Sequence, residues 1–417
     1  MIRTSIFVKV LISILIPFGS LALQAKPFKR VLVISGGGIN PGLAVGMIAG
    51  VQASGWNPDL VIATCGAGIG SIVNNSQKDI IGSLDLMKTR EFFDAVSLVK
   101  IETSSGLTLI KKLDKAKDTS IYPDIFQTLL LHSPDSFPKL IKTTEFNRDP
   151  AQPKLILVSS RSHFGPNDVG QIRNGHPMFQ EVFFTDPDTA RLLKGWRLPE
   201  KFSFPYTTVQ NDTEALSKYD LITAMRAGIA DPYLLNPLFL DGNYYFTGAI
   251  DLYPIDLAAA LGDEVVASYP ASLFQEYEDV AFNSAFGFKQ TARALEAIQH
   301  RDVKWVDING MDDFSFNPKR EFINMKSGIP ESHSKFQTTI AQQWNFGFER
   351  GKEAIAAAPG KLIDVRTHLR KPINPKLRDE FTCKNAYEWS TDRRDSCLSD
   401  DAPECDRDAN EKCTPIR

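Results

Sequence analysis

Basic residues are not in excess in this chain of 417 residues: 47 lysines and arginines stand against 50 aspartates and glutamates, and the formal net charge is −3. A nucleic-acid-binding protein usually concentrates positive charge on one face. The sequence shows no such cluster, no internal repeat and no low-complexity tract. We therefore expect no nucleic-acid partner. The hydrophobic content of 43% is typical of an ordinary globular protein with a buried core.

The chain also lacks a long uninterrupted hydrophobic run. Its most apolar stretch, VLISILIPFGSLALQA, is preceded by Arg3 and Lys9, contains a proline and a glycine, and is short for a membrane span. A basic start, a short apolar stretch and small residues at its end are typical of a secretory signal peptide. We predict a signal peptide over residues 1–25, cleaved after Ala25 or alternatively after Ala22, and hence export to a periplasm or the medium. An uncleaved N-terminal anchor is the other interpretation.

Cysteine is scarce outside the polar, acidic segment 366–417. Four of the five cysteines lie in that segment: Cys383, Cys397, Cys405 and Cys413. Neither a C-x-x-C pair nor a nearby histidine accompanies them, which disfavours a zinc site. Two disulfides that stabilise a tail with little core of its own are the better interpretation, with all three pairings open. The acidic run DRDANE lacks the glycine of a calcium loop, and we predict no metal and no cofactor.

Strands and helices alternate before residue 360. RVLVISGGGINPG and PDLVIATCGAGIGSIV each predict a buried strand, a tight turn of small residues and a helix. PKLILVSSRS, DEVVASYP and VKWVDING are further apolar strands, and FQTTIAQQWNFGFERGKEAIAAA is a long closing helix. Such alternation favours an α/β fold, a parallel sheet with helices on both faces. We predict this domain over residues 28–360, with Val31–Ile34 and Asp59–Ala63 as parallel neighbours and a small cysteine-rich tail after them.

Four blocks of the sequence occur in the order known from one protein family: SGGGINPG, VIATCGAGIGS, AMRAGIADPYLLNP and YFTGAIDLYPIDLA. Together they resemble the patatin-like phospholipases, over residues 29–358. The resemblance implies a three-layer α/β/α fold with a mainly parallel central sheet, a glycine-rich oxyanion loop, a G-x-S-x-G elbow and a Ser–Asp dyad that hydrolyses lipid acyl esters. It also implies a lipid or acyl-ester ligand, and it is compatible with peripheral contact with a membrane.

The resemblance assigns Gly36, Gly37 and Gly38 to the oxyanion loop. Glycines there let backbone N–H groups approach the oxyanion that develops in acyl transfer. The next segment, 39–42, departs from the family, because Ile-Asn-Pro-Gly has one extra residue and no cation. A strand-to-helix turn that needs glycines for its shape alone is the alternative interpretation.

The serine of the elbow is missing. Counting from Asp59 places Cys65 at its position, whereas matching GAG to the family's SAG places Gly66 there. Cys65 is a candidate nucleophile, because a thiol at a helix N-terminus depends less on a base than a hydroxyl does. A small buried apolar residue behind the turn is the other interpretation of Cys65. Gly66 is a candidate for oxyanion or ligand binding.

The aspartate of the dyad is missing too. Its position holds Thr247, whose hydroxyl cannot act as a base near neutral pH. Asp241 and Asp251 are close in sequence and are interpreted as turn or capping residues. A histidine that takes over as base would have to be one of five: His132, His163, His176, His300 or His333.

Loss of a nucleophile or of its base costs on the order of 10⁴–10⁶-fold in rate in hydroxyl-nucleophile enzymes. The sequence therefore predicts an exported patatin-like protein with a degenerate dyad that binds lipid or acyl groups as a pseudoenzyme. Two other hypotheses stay open. One is a lipid acyl hydrolase or acyltransferase that uses Cys65, and the other is an envelope interaction protein that acts through its tail.

Overall fold

A computed structural model describes residues 25–359, apart from short gaps, and the backbone of two strands near the C-terminus. The positions left out of 25–359 are 37, 98–99, 102–119, 127–130, 133–140, 142–144, 148, 200–207, 234, 249, 270–285, 287–292, 294–296, 298–299, 301, 309, 317–318, 322–323 and 327. The predicted signal peptide and most of the predicted tail therefore lie outside the described residues.

The described helices are α1 (Pro41–Ala53), α2 (Ala67–Ser76), α3 (Ile80–Met87), α4 (Arg90–Ser97), α5 (Pro187–Leu192), α6 (Leu221–Gly228), α7 (Ile255–Leu261) and α8 (His333–Ala356). The strands are β1 (Phe28–Ile34), β2 (Leu60–Thr64), β3 (Lys100–Ile101), β4 (Leu131–His132), β5 (Lys154–Ser162), β6 (Phe179–Thr185), β7 (Val209–Leu216), β8 (Leu238–Leu240), β9 (Asn243–Thr247), β10 (Gly262–Tyr269), β11 (Val303–Asp307), β12 (Lys319–Glu321), β13 (Asn324–Lys326), β14 (Cys405–Arg407) and β15 (Cys413–Pro415).

One mixed sheet of nine strands organises the described part of the chain. Seven strands follow the order β11-β10-β1-β2-β5-β6-β7, while β9 pairs with β5 and β8 pairs with β9. The pairs from β11 to β5 are parallel, as is β6–β7, whereas β5–β6, β5–β9 and β8–β9 are antiparallel. The predicted parallel contact of the first two strands is confirmed, since Val31 pairs with Leu60 and Ile34 with Ala63.

Helices cover both faces of the sheet, because each central strand is apolar on both sides. Val31 and Val33 pack into one core together with residues of α7. Leu32 and Ile34 point the other way, into a second core with residues of α1, α2, α6 and α8. The predicted α/β fold with a mainly parallel sheet between helices is therefore confirmed.

Helix α1 contacts α8 through glycines at every fourth position, here called the glycine seam: Gly42, Gly46 and Gly50. A Cβ atom at Gly46 would overlap the carbonyl oxygen of Trp344, and one at Gly50 would overlap that of Phe348. The two helix backbones therefore touch directly. This contact fixes the position of α1, the helix that follows the glycine-rich loop.

Candidate functional site

The turn between β2 and α2 has the shape of a nucleophile elbow. Strand β2 ends at Thr64 and α2 begins at Ala67. Between them Cys65 has a φ of +50°, a left-handed conformation that costs a non-glycine residue roughly 1–3 kcal/mol. Gly66 has ordinary helical angles (φ −59°, ψ −23°). Of the two alternatives for the apex, the structure therefore selects Cys65.

The glycine-rich loop after β1 lies directly against this elbow. A Cβ atom at Gly36 would lie 2.6 Å from Cβ of Cys65, and one at Gly66 would overlap the carbonyl oxygen of Gly38. Gly38 has a φ of +88°, which favours glycine. Gly37 lies outside the described residues. The two turns meet at one edge of the sheet because their strands, β1 and β2, are parallel neighbours.

Thr64 connects the loop to the elbow and was not singled out from the sequence. The N–H of Gly36 donates to Oγ1 of Thr64 at 2.7 Å, and Oγ1 of Thr64 donates to the carbonyl oxygen of Leu252 at 3.1 Å. The amide of Gly36 therefore already has a partner within the protein, and its role as an oxyanion donor stays a prediction. The N–H of Gly66, which contacts Sγ of Cys65, is a donor at the elbow itself.

The Thr64→Val variant is expected to lower the free energy of unfolding by about 2–3 kcal/mol, because two buried backbone groups lose their partner. Thr64→Ser keeps the hydroxyl and is expected to stay within about 1 kcal/mol of wild type. Urea denaturation followed by circular dichroism measures both changes. Equal midpoints for the valine and serine variants would show that the two hydrogen bonds do not hold the loop.

Asp231 faces the thiol of Cys65, and sequence reasoning missed it. The thiol donates toward the carboxylate, with Sγ 3.7 Å from Oδ1 and 3.8 Å from Oδ2. Asp231 follows α6 in a turn in which its N–H donates to the carbonyl oxygen of Ile229 at 2.8 Å. Asp231 belongs to the block AMRAGIADPYLLNP, and by sequence alone it resembles an ordinary residue at a helix end.

Thr247 completes the group at the elbow. Strands β2 and β9 pair with consecutive parts of β5. The pairing with β2 ends where Thr64 lies opposite Val158, and the pairing with β9 begins at the next residue, where Thr247 lies opposite Ser159. The N–H of Thr247 donates to the carbonyl oxygen of Ala230 at 3.0 Å, which brings it next to Asp231. Its side chain is fully buried, and its hydroxyl lies beside Cys65 and Asp231 and favours the ionised form of each.

The electrostatics leave the thiol protonated and the carboxylate ionised at neutral pH. Burial and the charge of Asp231 raise the pKa of Cys65 well above its ordinary value. Burial also raises the pKa of Asp231 from 3.8 to about 6, against the opposing effect of the Thr247 and Cys65 side chains. A thiol next to a carboxylate that titrates near pH 6 is a proton donor next to a usable base.

The other aspartates weighed from the sequence are not among the described groups that act on the thiol. Asp251 is buried in an ion pair with Arg293, whose Nε lies 3.0 Å from Oδ1, and Asp251 also accepts from the N–H of Tyr253 at 3.3 Å. Asp241 has a φ of +47° in the turn between β8 and β9, and it pairs with Lys218. Asp241 is therefore a turn residue as predicted, whereas Asp251 forms a buried ion pair that the sequence did not predict.

Among the histidines whose side chains the structure describes, none acts on Cys65, and the side chain of His132 lies outside the described part of the chain. His333 contacts the carbonyl oxygen of Lys88 at 2.9 Å, and His300 lies 3.2 Å from Asp256. Among the described residues, the His, Cys, Asp and Glu side chains form no group of three or more that could hold a metal ion.

The predicted disulfides stay a prediction. Cys383 and Cys397 lie outside the described residues, and only the backbone of the other two is described. Strands β14 and β15 form a hairpin that places Cys405 opposite Pro415 and Cys413 opposite Arg407. Within the described residues, no helix has the length and apolar character needed to cross a membrane.

No protein-family model matches the chain, and no curated protein matches it in sequence. Among solved structures, the chain is similar to the crystal structure of VipD from Legionella pneumophila. The TM-score is 0.31 and the identity 12%, over 79% of this chain and 67% of that chain. At this TM-score the likeness assigns no function, so a functional conclusion must come from the site itself.

Proposed function

We propose that the chain is a patatin-like lipid acyl hydrolase or acyltransferase in which Cys65 is the nucleophile and Asp231 is its base. One observation carries the proposal: Cys65 stands at a left-handed elbow with its Sγ 3.7 Å from a carboxylate oxygen of Asp231. Strained backbone of this kind persists where the surrounding structure enforces it, which is common at active sites. The resemblance of residues 29–358 to patatin-like phospholipases supports a lipid acyl substrate.

The pair carries out acyl transfer in two half-reactions. Sγ of Cys65 attacks the carbonyl carbon while its proton moves to Asp231, and the oxyanion that forms meets the N–H of Gly66 at the start of α2. The bond to the leaving group then breaks, Asp231 returns the proton to that group, and the acyl group stays on Cys65 as a thioester. Water or an alcohol next gives its proton to Asp231, attacks the thioester, and releases the acyl product and the thiol.

A thiol makes this arrangement workable although the aspartate expected at position 247 is absent. A thiol is intrinsically far more acidic than an aliphatic hydroxyl, and the burial and charge that raise the pKa of Cys65 would raise that of a serine at the same position as well. A carboxylate is therefore a more adequate base for Cys65 than it would be for a serine. Thr247 has a supporting role in this scheme, because its hydroxyl favours the ionised form of Asp231.

An acyl-binding protein without turnover is the second candidate function. The hydrogen bond from the N–H of Gly36 to Oγ1 of Thr64 favours this second candidate. An N–H that is already bound to Thr64 does not stabilise an oxyanion, so the reaction has one donor fewer. In that case the elbow would hold an acyl carbonyl without breaking its ester bond. Peripheral contact with a membrane fits either candidate as a way to reach a lipid.

Export and an envelope role of the tail are separate proposals. They rest on the signal-like residues 1–25 and on the four cysteines clustered after residue 366. Disulfides among those cysteines fit an oxidising compartment.

The test of the proposed function is detection of the acyl-enzyme. The purified chain is mixed with p-nitrophenyl octanoate, stopped with acid and analysed by intact and peptide mass spectrometry. We expect an octanoyl group on the peptide that contains Cys65, together with a burst of about one equivalent of p-nitrophenol. Cys65→Ala is the control and should show neither.

Two other results would decide against the proposal. Specific binding of the ester without adduct or turnover would favour the acyl-binding candidate. Turnover that survives in Cys65→Ala would place the chemistry at a different site.

A further inference from the structure

The surroundings of the Cys65 thiol contain no positive charge within the part of the chain that the structure describes. The groups that act on Sγ are the carboxylate of Asp231, the hydroxyl of Thr247 and the N–H of Gly66. The groups that act on Asp231 are the side chains of Thr247 and Cys65. Hydrolases in which cysteine attacks amides or oxygen esters usually pair the thiol with histidine, whose protonated ring supplies the proton to the leaving group.

We infer that the acyl donors of this site are thioesters rather than oxygen esters of lipids. The inference rests on the proposed nucleophilic role of Cys65 and narrows its substrate class. Its basis is the partition of the tetrahedral intermediate, in which the sulfur of Cys65 and the leaving group compete for departure.

An oxygen ester partitions badly at this site. An alkoxide is about as basic as hydroxide, and the thiolate of Cys65 remains the weaker base although burial and Asp231 raise its pKa. The sulfur of Cys65 is therefore the better leaving group unless a strong acid protonates the alkoxide. A carboxyl group at 3.7 Å from Sγ, without a cation near it, is the only described acid in contact with the thiol. Most encounters with an ordinary oxygen ester would return the substrate.

A thioester partitions toward the acylated enzyme, because its carrier leaves as a thiolate of ordinary pKa, whereas burial and Asp231 raise the pKa of Cys65. The Sγ–C bond forms as the C–S bond to the carrier breaks, and the proton of Cys65 passes through Asp231 to the departing thiolate. The products of this half-reaction are the free carrier thiol and acylated Cys65. No oxidant, reductant or metal is needed. The acyl group then moves to water or an alcohol, with Asp231 as base.

Two carriers share this chemistry: a small thiol of the pantetheine type and an acylated cysteine of a protein. The contacts of Cys65 do not distinguish the two carriers, so the experiment has an arm for each. S-octanoyl-N-acetylcysteamine represents the small carrier, and a short peptide with an S-octanoyl cysteine represents the protein carrier.

The deciding comparison uses two substrates that differ in one atom. S-octanoyl-N-acetylcysteamine and O-octanoyl-N-acetylethanolamine differ only in the sulfur or oxygen that joins the acyl group to the carrier. We expect kcat/KM of the wild-type chain to favour the thioester by at least ~100-fold after subtraction of uncatalysed hydrolysis. In Cys65→Ser the nucleophile is an oxygen, so the sulfur of Cys65 no longer competes with an alkoxide for departure. The ratio of kcat/KM for the thioester to kcat/KM for the oxygen ester is then expected to fall toward one.

Single-turnover acylation of Cys65 by each substrate, read by mass spectrometry, gives the same comparison without the serine variant. Equal acylation by thioester and oxygen ester would overturn the inference and leave the nucleophilic role of Cys65 intact. Acylation of Cys65 by neither substrate would overturn the proposed function and the inference with it. Turnover of the peptide but not of the cysteamine thioester, or the reverse, would support the inference and identify the carrier.

Discussion

Asp231→Asn is expected to lower kcat/KM of the Cys65-dependent reaction by roughly 10³–10⁴-fold. Asparagine keeps the shape of the side chain and still accepts a hydrogen bond from the thiol, but it cannot take the proton. The wild-type rate should rise with pH through about 6, the pKa of Asp231, and then level off. The variant should lose this inflection.

Reactivity of the thiol toward an alkylating reagent is expected to change in the opposite direction. The charge of Asp231 raises the pKa of Cys65, so its removal increases the fraction of thiolate at a given pH. Iodoacetamide should therefore label Cys65 faster in Asp231→Asn than in wild type at pH 8. A variant that loses turnover and alkylation together would instead indicate a collapsed site.

The same substitution is expected to stabilise the folded protein at neutral pH. The pKa of Asp231 is raised from 3.8 to about 6, so the folded state binds this proton more tightly than the unfolded state does. Stability from this group is therefore present at low pH and is lost as the pH rises from about 4 to about 6. At pH 7 the wild-type chain bears the full cost, at most about 3 kcal/mol, and Asp231→Asn removes it.

Asp241→Asn is the matched control, because Asp241 is exposed and its carboxylate contacts Lys218 rather than the thiol. It should leave the rate and its pH dependence unchanged. Urea denaturation at pH 4 and pH 7 gives the stability difference. A wild-type chain as stable as Asp231→Asn at both pH values would contradict the raised pKa of Asp231.

Gly46→Ala is expected to lower the free energy of unfolding by about 3–5 kcal/mol, although alanine normally stabilises a helix relative to glycine. Gly46 belongs to the glycine seam, and a Cβ atom there would overlap the carbonyl oxygen of Trp344 in α8. The obstacle is backbone, which no change of rotamer can move aside. The two helices would have to separate, and both are buried against the same core.

Gly68→Ala in α2 is the matched control for this prediction. A Cβ atom at Gly68 would lie 3.5 Å from Cδ2 of Leu157, an ordinary contact. It should be neutral or slightly stabilising in the same denaturation experiment. Equal stability of the two alanine variants would show that α1 and α8 are less tightly packed than their glycines indicate.

The parts of the fold that are determined by residues close together in the sequence could be predicted. The apolar runs of β1 and β2, each followed by a turn of small residues and a helix, predicted two neighbouring parallel strands. The structure has this pair, with Val31 opposite Leu60, and its two turns meet where Gly36 lies against Cys65. Such blocks are predictable because strand, turn and helix signals are local.

The carboxylate that faces Cys65 was not predictable in the same way. Asp231 comes from the end of α6, and its position against Cys65 depends on where β9 lies, through the hydrogen bond from Thr247 to Ala230. That is a long-range contact with no local signature in the sequence. The family resemblance places the base at Thr247, with Asp241 and Asp251 near it in sequence, and gives no indication of Asp231. The use of the Gly36 amide by Thr64 was hidden for the same reason.

The glycine seam also determines the order in which the chain can assemble during its synthesis. The N–H of Gly42 in α1 donates to the side chain of Gln343 in α8, a residue 301 positions later. At ribosomal rates of about 5–20 residues per second, roughly 15 to 60 s separate the appearance of these two partners. β1 likewise waits for β10, its neighbour on one side. The nascent chain therefore carries a strand with one side unpaired until β10 has been made, and an uncovered helix face until α8 has been made, and docking of α8 is the step that covers α1.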